Sequence, residues 1–447
     1  MDKQVNGMCK ASRTGGRYNA GKEVIGMFQF VLIGAGQRGM IYAQYAYESG
    51  LADIVAIAEP DDARRQAAAQ KLAVKPENCF KSAEALFARG KLGDAAIIAS
   101  MDRDHFSQSM RAMELGYDLL LEKPISPNPA ECMLINDKAE QTGRRVVICH
   151  VLRYSPFFRQ IKALIDSGEV GRVISIQHNE NIGNYHMAHS FVRGNWSRSA
   201  VSSPIIMQKS CHDMDLLVWL TGSKAKKLSS FGDLSYFKEE SAPRGSAGRC
   251  LECPVAAACR FDARKMYLPI AGNWPATVMS LDQSEAGLLA AIKDGPYGRC
   301  VYRCDNDVCD HQVVNILFEN GITVSFNLSA FTNRIARTMK IMCEDGEIRV
   351  NEYENRIEVI RFGSNANAPE EIRVILPPTA ESGHSGGDTG LMNDFFSMLK
   401  GESKNPDTRI AGSVESHYIA GAAELARLEG RVVDMAAYRQ SLRETAL

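Results

Sequence analysis

The sequence predicts an α/β protein: a doubly wound parallel sheet followed by an α+β domain with a large, mostly antiparallel sheet. The chain has 447 residues, more than one hydrophobic core usually serves. Short apolar strands alternate with helices up to about residue 150, which is typical of parallel sheets. Beyond that point strands come in hairpins, with turns at Asn320-Gly321 and Asp345-Gly346, which favours antiparallel pairing.

The first predicted domain spans residues 27–150 and follows a polar, glycine-rich extension, residues 1–26, that we expect to be disordered. One helix begins at Pro129 after the capping residue Asn128. The other predicted helices are Met40–Glu48, Asp61–Ala73 and Asp104–Leu115. The predicted strands are Phe28–Ile33, Ile54–Ala58, Ala95–Ala99, Asp118–Leu121 and Val146–Cys149.

The second predicted domain spans residues 151–447 and carries an insertion, about residues 241–310, rich in Gly, Pro and Cys. Its predicted helices are Pro156–Ser167 and two near Leu391–Leu399 and Val414–Leu428. Its predicted strands are Val173–Glu180, Gln312–Phe318, Ile322–Phe331, Met339–Cys343, Ile348–Val350, Arg356–Arg361 and Glu371–Leu376.

The composition argues against several classes of partner. The formal net charge of −1 offers no basic excess to neutralise nucleic-acid phosphates. The sequence has no apolar run of roughly 20 residues and no apolar signal-peptide core, so we expect a cytoplasmic protein without a membrane partner. A near-neutral charge favours self-association, and we expect a homodimer or homotetramer.

A glycine-rich motif, Gly34-Ala-Gly-Gln-Arg-Gly39, follows the first strand and opens the first helix. Gly34 permits a tight turn, Gly36 lets backbone approach a pyrophosphate, and Gly39 lets helix and strand pack closely. An anion then lies at the helix N-terminus. The motif predicts a Rossmann NAD-binding site that includes Gln37 and Arg38.

Glu59 ends the second predicted strand, about 20 residues after the motif. A carboxylate there accepts hydrogen bonds from the adenosine ribose hydroxyls and repels a 2′-phosphate. We therefore predict NAD rather than NADP, although Arg64 lies one helical turn away.

The sequence resembles the Gfo/Idh/MocA oxidoreductases from about Met27 to the C-terminus. Four segments carry the resemblance: Val31–Gly39, Asp102-Arg-Asp-His105, Glu122-Lys-Pro124 and His212-Asp-Met-Asp215. The resemblance implies NAD(P)-linked oxidation or reduction of a sugar, cyclitol or related polyol. It also implies that His212 faces the nicotinamide across a cleft, and that family members associate through the open face of the C-terminal sheet. The cofactor contacts that it implies are Ser100, Asp102, His105, Glu122 and Lys123.

Oxidising a secondary alcohol removes a hydride and a proton. Lys123 is the candidate for positioning the hydroxyl, and His212 is the candidate base because imidazole titrates near neutral pH. Many relatives carry an acid four residues before this histidine, but here Gln208 holds that place and Lys209 follows. For Lys209, the alternatives are binding an anionic substrate and assisting proton transfer.

Other polar residues are candidates for substrate contacts, each with a structural alternative. Arg153 and Tyr154 follow the last strand of the first domain, and His384 lies in a polar loop. A polar and aromatic loop contributes His186, His189, Arg193 and Trp196.

The insertion also contains closely spaced cysteines. Cys250, Cys253, Cys259 and Cys300 are predicted to bind a structural zinc ion, with an iron–sulfur cluster or reduced, partly buried thiols as alternatives.

Two other functions remain open for this sequence. An NAD-dependent glycoside hydrolase would oxidise a sugar transiently and eliminate its glycosidic bond without net NAD reduction. A non-catalytic sugar- or redox-sensing regulator would bind NAD without turnover.

Overall fold

The computed structural model describes residues 27–368, 371–379, 386–403 and 406–446. The predicted N-terminal extension, residues 1–26, and His384 lie outside the described residues. In the described ranges, no helix is both long and apolar enough to cross a membrane.

The first sheet has six parallel strands in the order β3-β2-β1-β4-β5-β6, the arrangement of a dinucleotide-binding fold. Its strands are β1 (Phe28–Ile33), β2 (Ala52–Ala58), β3 (Cys79–Phe80), β4 (Ala95–Ile98), β5 (Asp118–Leu121) and β6 (Val146–Ile148). The helices between them are α1 (Gln37–Glu48), α2 (Asp62–Lys71), α3 (Ala83–Phe87), α4 (His105–Glu114) and α5 (Pro129–Thr142). The central strands are buried, which explains their apolar sequences.

The second sheet has nine strands in the order β14-β13-β12-β11-β7-β10-β9-β8-β15. All its pairs are antiparallel except β7 with β10. Its strands are β7 (Val173–Asn181), β8 (Ala225–Asp233), β9 (His311–Phe318), β10 (Thr323–Ser329), β11 (Ala336–Cys343), β12 (Gly346–Asn351), β13 (Arg356–Arg361), β14 (Glu371–Ile375) and β15 (Val433–Asp434). The predicted fold class is confirmed, although the sequence analysis missed β3, β8 and β15.

Further helices lie beyond the first sheet in the chain, some of them within the insertion. They are α6 (Pro156–Ser167), α7 (Asn184–His186), α8 (Ile205–Gln208), α9 (Cys211–Thr221), α10 (Ala263–Tyr267), α11 (Ala276–Met279), α12 (Glu285–Asp294), α13 (Gly387–Leu399), α14 (Ile410–Glu429) and α15 (Met435–Ala446). A π-helical turn, Met187–Arg193, follows α7.

Helix α13 returns to the first sheet although it lies late in the chain. The Phe396 ring stacks on Phe30 of β1 with centroids 5.5 Å apart, and Phe395 meets the same ring edge-on at 5.8 Å. This packing brings the start of α13 to the carboxyl ends of the parallel strands, where ligands bind in such sheets.

Candidate active site

The turn between β1 and α1 has the geometry of a phosphate-binding loop. Gly34 has a φ of +87°, and a Cβ there would lie 2.4 Å from the carbonyl oxygen of Ala99. A Cβ at Gly39 would lie 2.1 Å from the carbonyl oxygen of Gly34, so a larger residue would push α1 away from the turn. At Gly36 a Cβ would meet nothing within 4 Å. Helix α1 begins there without a side-chain cap, and its first residue Gln37 is exposed, so this end of the helix fits an anion.

Glu59 lies beside this turn at the end of β2. Its Oε2 accepts a hydrogen bond of 2.8 Å from the backbone N–H of Ala35, and its Oε1 accepts one of 3.1 Å from Asp61. The side chain of Glu59 is buried against the turn, whereas Arg64 is exposed. The carboxylate therefore lies next to this turn, and the preference for NAD over NADP stays a prediction.

Arg38 and Glu122 contact each other. Arg38 Nε donates to Glu122 Oε1 over 2.8 Å, and Arg38 Nη2 pairs with Asp388 of α13 at 2.6 Å. The Tyr42 hydroxyl donates to the same Glu122 oxygen over 2.8 Å. Burial raises the pKa of Glu122, but the charges of Arg38 and Lys123 outweigh it, and the pKa lies below its usual value. Glu122 is therefore ionised and held in place by Arg38.

Ser100 and Asp102 also make contacts within the protein. Ser100 Oγ donates to Gln108 Oε1 over 2.6 Å. The buried Asp102 accepts hydrogen bonds from Ser202 Oγ at 3.1 Å and Ser203 Oγ at 3.0 Å. Asp102 thus joins the loops of the first sheet to the segment that precedes α8. Direct contacts of Ser100 and Asp102 with the cofactor stay predictions.

Lys123 follows β5 and reaches the segment that precedes α9. Its Nζ donates to the backbone carbonyl of Gln208 over 2.9 Å, and its backbone N–H donates to Glu122 Oε2 over 2.8 Å. His212 is the second residue of α9, four positions after Gln208, and only 7% of it is exposed. The contact thus brings the Glu-Lys-Pro segment to the helix that carries His212.

Two buried histidines hold the segment that follows Lys123. His105 Nδ1 lies 2.8 Å from the carbonyl oxygen of Pro124, so this nitrogen carries the proton that it donates. His417 Nε2 accepts a hydrogen bond of 2.8 Å from the backbone N–H of Ile125, so this nitrogen is unprotonated. Both histidines contact the backbone beside Lys123 and thereby position it.

A row of imidazole rings extends from His212 into the interior. The His150 ring lies 5.6 Å from that of His212 at an interplanar angle of 75°, and 5.7 Å from that of His417. His150 Nε2 is 3.9 Å from a carboxylate oxygen of Asp215. Burial, helped by the charge of Arg153, holds the pKa of His150 well below its usual value. Burial and the neighbouring His150 lower the pKa of His417 to about 3, so the two inner rings are neutral.

Lys209 belongs to a buried network of charges beneath α9. Its Nζ lies 3.2 Å from Glu180 Oε1, and Arg337 Nη2 lies 2.7 Å from the other oxygen of Glu180. Arg337 Nε donates to Asp213 Oδ1 over 2.7 Å, and His178 Nε2 lies 2.9 Å from the same oxygen. Burial raises the pKa of Glu180, whereas Arg337 outweighs burial at Asp213 and lowers its pKa. Lys209 therefore has a buried carboxylate as its partner.

Comparison with known proteins places this arrangement in a family. Residues 28–150 match the Gfo/Idh/MocA oxidoreductase family with its NAD-binding Rossmann fold, and residues 158–349 match the Gfo/Idh/MocA C-terminal domain. The chain belongs to the Gfo/Idh/MocA family. It is accordingly an NAD-binding oxidoreductase, and the resemblance seen in its motifs is confirmed.

This Gfo/Idh/MocA chain is similar to the putative oxidoreductase YteT of Bacillus subtilis. The two are 27% identical over 319 residues, which cover 68% of this chain and 72% of YteT. Inositol 2-dehydrogenase of Corynebacterium glutamicum is 27% identical over 177 residues, 39% of this chain and 48% of that enzyme. The chain thus spans about half the length of that dehydrogenase.

Solved structures show the same fold. An oxidoreductase from Agrobacterium radiobacter, in complex with NAD+, L-tartaric acid and magnesium, superposes with a TM-score of 0.65 at 16% identity, covering 92% of this chain and 99% of that one. The WlbA dehydrogenase from Bordetella pertussis, in complex with NADH and UDP-GlcNAcA, gives a TM-score of 0.62 at 16% identity, covering 91% and 97%.

Arg153 and Tyr154, two predicted substrate contacts, have their polar atoms bound by the protein. Arg153 makes a two-pronged ion pair with Asp215 of α9, at 2.7 and 2.6 Å, and is 6% exposed. The Tyr154 hydroxyl donates to Asp394 of α13 over 2.6 Å. These contacts brace α9 and α13 against the segment that follows β6, and contacts of Arg153 and Tyr154 with substrate stay predictions.

The predicted aromatic loop packs against the insertion. His189 Nδ1 lies 3.1 Å from the Tyr267 hydroxyl, and its ring stacks on Tyr297 at 4.7 Å. The Trp196 ring lies 6.3 Å from Phe191. His189 and Trp196 therefore help to anchor the insertion, and their contacts with substrate stay predictions.

The cysteines predicted to bind zinc line one small cavity with the buried Arg193, but they do not form a metal site. Arg193 Nη2 donates to Cys250 Sγ over 3.3 Å and to the carbonyl oxygen of Phe261 over 2.8 Å. Across the described ranges, no group of three or more His, Cys, Asp or Glu side chains is arranged to hold a metal ion. Cys250 thus has a guanidinium as its neighbour, and the predicted zinc site is not formed among the described residues. The thiols on this cavity are Cys250, Cys253, Cys259 and Cys300, all free.

The sequence analysis missed several buried polar residues of the site. One signal was present in β7, where His178 and Glu180 alternate with exposed residues on the same buried face as Ile176. Charged and polar side chains on a core face require buried partners. The residues missed are His150, His178, Glu180, Asp213, Arg337 and His417.

Proposed function

We propose that the protein oxidises a secondary hydroxyl of a sugar, cyclitol or related polyol, with NAD as the hydride acceptor. The observation that carries the proposal is the 2.9 Å hydrogen bond from Lys123 Nζ to the carbonyl of Gln208. It joins the end of a Rossmann strand to the last residue of α8, three residues before α9 begins with Cys211 and His212. This supports a site in which a cation and an imidazole act together beside the cofactor-binding edge of the sheet. The name of the inositol 2-dehydrogenase relative supports a cyclitol or polyol as substrate.

The residues present fit a dinucleotide. The turn at Gly34, Gly36 and Gly39 would hold the pyrophosphate, and Glu59 would accept hydrogen bonds from the adenosine ribose. When bound, NAD supplies an electrophilic ring that accepts the hydride. The carboxylate of Glu59 would repel a 2′-phosphate, so the expected preference is for NAD over NADP.

The chain's own residues would orient the alcohol and remove its proton. The Lys123 ammonium donates a hydrogen bond to the reacting hydroxyl oxygen, and His212 accepts the hydroxyl proton as the carbonyl forms. Glu122, held ionised by Arg38, fixes the backbone N–H of Lys123. Proton and hydride together account for the two hydrogens that the alcohol loses.

Lys209 fits a supporting part in this scheme better than that of the base. Its Nζ lies 3.2 Å from the buried Glu180, so a carboxylate within the protein occupies it. We therefore assign to Lys209 the positioning of α9, through the network that also contains Asp213 and Arg337.

The test is turnover with a panel of sugars, cyclitols and glycosides, with NADH absorbance and product masses followed together. We expect NADH formation with at least one polyol. Lys123→Met and His212→Asn should each lose at least about 100-fold in kcat, and His212→Asn should keep the parent affinity for NAD. Lys293→Met, a change of an exposed lysine in α12, is the matched control. Release of an aglycone without net NADH would instead identify a glycoside hydrolase, and NAD binding without any turnover a regulator.

The cofactor preference has its own test. Glu59→Ser removes the charge but keeps a hydrogen-bonding side chain, so the ratio of kcat/KM for NAD to that for NADP should fall relative to the parent protein. Equal efficiency of the parent protein with both cofactors would contradict the role given to Glu59.

Self-association is also part of the proposal. Phe231 of β8 and Val313 of β9 are register partners on the outer face of the second sheet, and they are 64% and 37% exposed. Apolar pairs of this kind favour contact with a second copy of the chain. Light scattering should give the mass of a dimer or tetramer, and a monomer at micromolar concentration would refute this part.

A further inference from the structure

Trp274 of the insertion packs against the turn that follows β7. The Trp274 ring meets His186 at 5.0 Å, His189 at 5.9 Å and Tyr185 at 6.3 Å. All three contacts are edge-to-face, with interplanar angles of 87°, 76° and 65°, the geometry that aromatic pairs favour. Trp274 is half-buried, so part of its indole remains accessible.

His186, the partner of Trp274, lies on the turn that follows β7, and β7 carries Glu180, whose Oε1 is 3.2 Å from Lys209 Nζ. Burial and the charge of Lys209, followed by the charges of His189 and Lys123, hold the pKa of His186 well below its usual value. Lys209 directly follows Gln208, whose carbonyl binds Lys123. The turn on which Trp274 packs therefore follows the strand that binds Lys209, the neighbour of the residue whose carbonyl binds the reacting lysine.

Trp274 packs against His189, and His189 is itself held by two tyrosines of the insertion. His189 stacks on Tyr297 at 4.7 Å and 10° and contacts the Tyr267 hydroxyl at 3.1 Å. Tyr267 and Tyr297 belong to a small buried cluster inside the insertion, together with Ile292. Because His189 is anchored in this cluster, the Trp274 ring that packs on it is held in place, as a binding surface requires.

We propose that Trp274 determines substrate specificity: its indole forms the outer wall of the substrate pocket and packs on the C–H face of a ring-shaped polyol. This inference rests on the proposed function, since the polyol hydroxyl is the one that Lys123 orients. The face of an aromatic ring is electron-rich and attracts the partly positive C–H bonds of a cyclitol or pyranose. His186 beside it is neutral, so this wall suits an uncharged ring better than an anion or an extended, acyclic polyol.

The experiment compares the parent protein with Trp274→Leu and Trp274→Phe. Leucine keeps apolar volume without an aromatic face, and phenylalanine keeps the face. Leu281→Ala, at a 64% exposed position of the same insertion, is the control. The probes are two ring polyols, myo-inositol and methyl β-D-glucopyranoside, and one acyclic polyol, D-sorbitol. KM, kcat and the Kd for NAD are measured for each protein, and calorimetry follows binding of each probe to the NAD-loaded protein.

For a ring polyol, Trp274→Leu should raise KM roughly fivefold or more and leave kcat and the Kd for NAD unchanged. Trp274→Phe and Leu281→Ala should keep the parent KM, and the response to sorbitol should not change. An unchanged KM and unchanged calorimetric Kd in Trp274→Leu would overturn the inference, as would an equal rise for sorbitol. If the parent protein oxidises none of the sugars, cyclitols and glycosides, the proposed function fails. The role of Trp274 is then decided by whether Trp274→Leu weakens the calorimetric Kd for the ring polyols alone.

Discussion

His417 predicts a specific dependence of stability on pH. The ring is fully buried, and its Nε2 accepts the backbone N–H of Ile125. The groups that act on it are His150, Asp215, Lys123 and the carbonyl of Ser413, and burial is the largest influence. Its pKa is lowered from 6.5 to about 3, so the ring is neutral in the folded protein.

The sign and the size follow from proton linkage. Between the folded pKa of about 3 and the unfolded pKa of 6.5, the unfolded state binds more protons at this histidine. The contribution of His417 is therefore fully present above pH 6.5 and is lost progressively as the pH falls towards 3. Each pH unit is worth 1.36 kcal/mol, so His417 alone removes about 2 kcal/mol from the free energy of unfolding between pH 7.5 and 5.0.

Urea unfolding at pH 7.5 and 5.0 measures this contribution. His417→Gln keeps an acceptor for the Ile125 N–H but has no proton to bind in this range. The parent protein should lose about 2 kcal/mol more than His417→Gln on acidification. His311→Gln changes a ring whose side chain is 44% exposed, and it should behave like the parent. An equal acid loss in the parent and in His417→Gln would refute the reasoning.

Two further predictions concern the charge network and the glycine turn. Arg337→Met leaves two buried carboxylates without their guanidinium and should lower the free energy of unfolding by about 3–5 kcal/mol. The control Arg349→Met, at a side chain that is 51% exposed, should lower it by less than about 1 kcal/mol. Equal losses of the two variants in urea unfolding would contradict this prediction. Gly39→Ala places a Cβ 2.1 Å from the carbonyl oxygen of Gly34 and should lower Tm as well as NAD affinity. In Gly36→Ala the new Cβ meets only open space, so Tm should not change, whereas the affinity for NAD should fall. An unchanged calorimetric Kd for NAD in Gly36→Ala would mean that the pyrophosphate binds elsewhere.

Features that depend on neighbouring residues were accessible to sequence reasoning. β1 was predicted to the residue, because an apolar run ends sharply at the glycine turn. The roles of Gly34 and Gly39 follow from their spacing, and the structure shows the close backbone approaches that exclude a Cβ. The hairpin between β9 and β10 was likewise signalled by its Asn320-Gly321 turn.

Features that depend on distant contacts were not accessible. The ion pair of Arg337 with Asp213 joins residues 124 positions apart, and the bond between Ile125 and His417 spans 292. β8 was missed because its sequence, with Lys226 and Lys227 on exposed positions, gains strand character only by pairing with β9. The cysteine spacing failed for the same reason, since spacing alone does not determine where thiols meet.

The placement of Lys123 and the stability of the protein should respond differently to acid. Because the folded His417 ring stays neutral down to a pKa of about 3, its hydrogen bond with Ile125 persists in folded molecules at pH 5. In the proposed mechanism, protonation of the base His212 stops turnover. The acid limb of kcat should therefore coincide in the parent and in His417→Gln, measured where both are folded, while their unfolding free energies diverge. A shift of that limb in His417→Gln would mean that His417 sets the protonation of the catalytic group through His150, and that the imidazole row acts as one titrating unit.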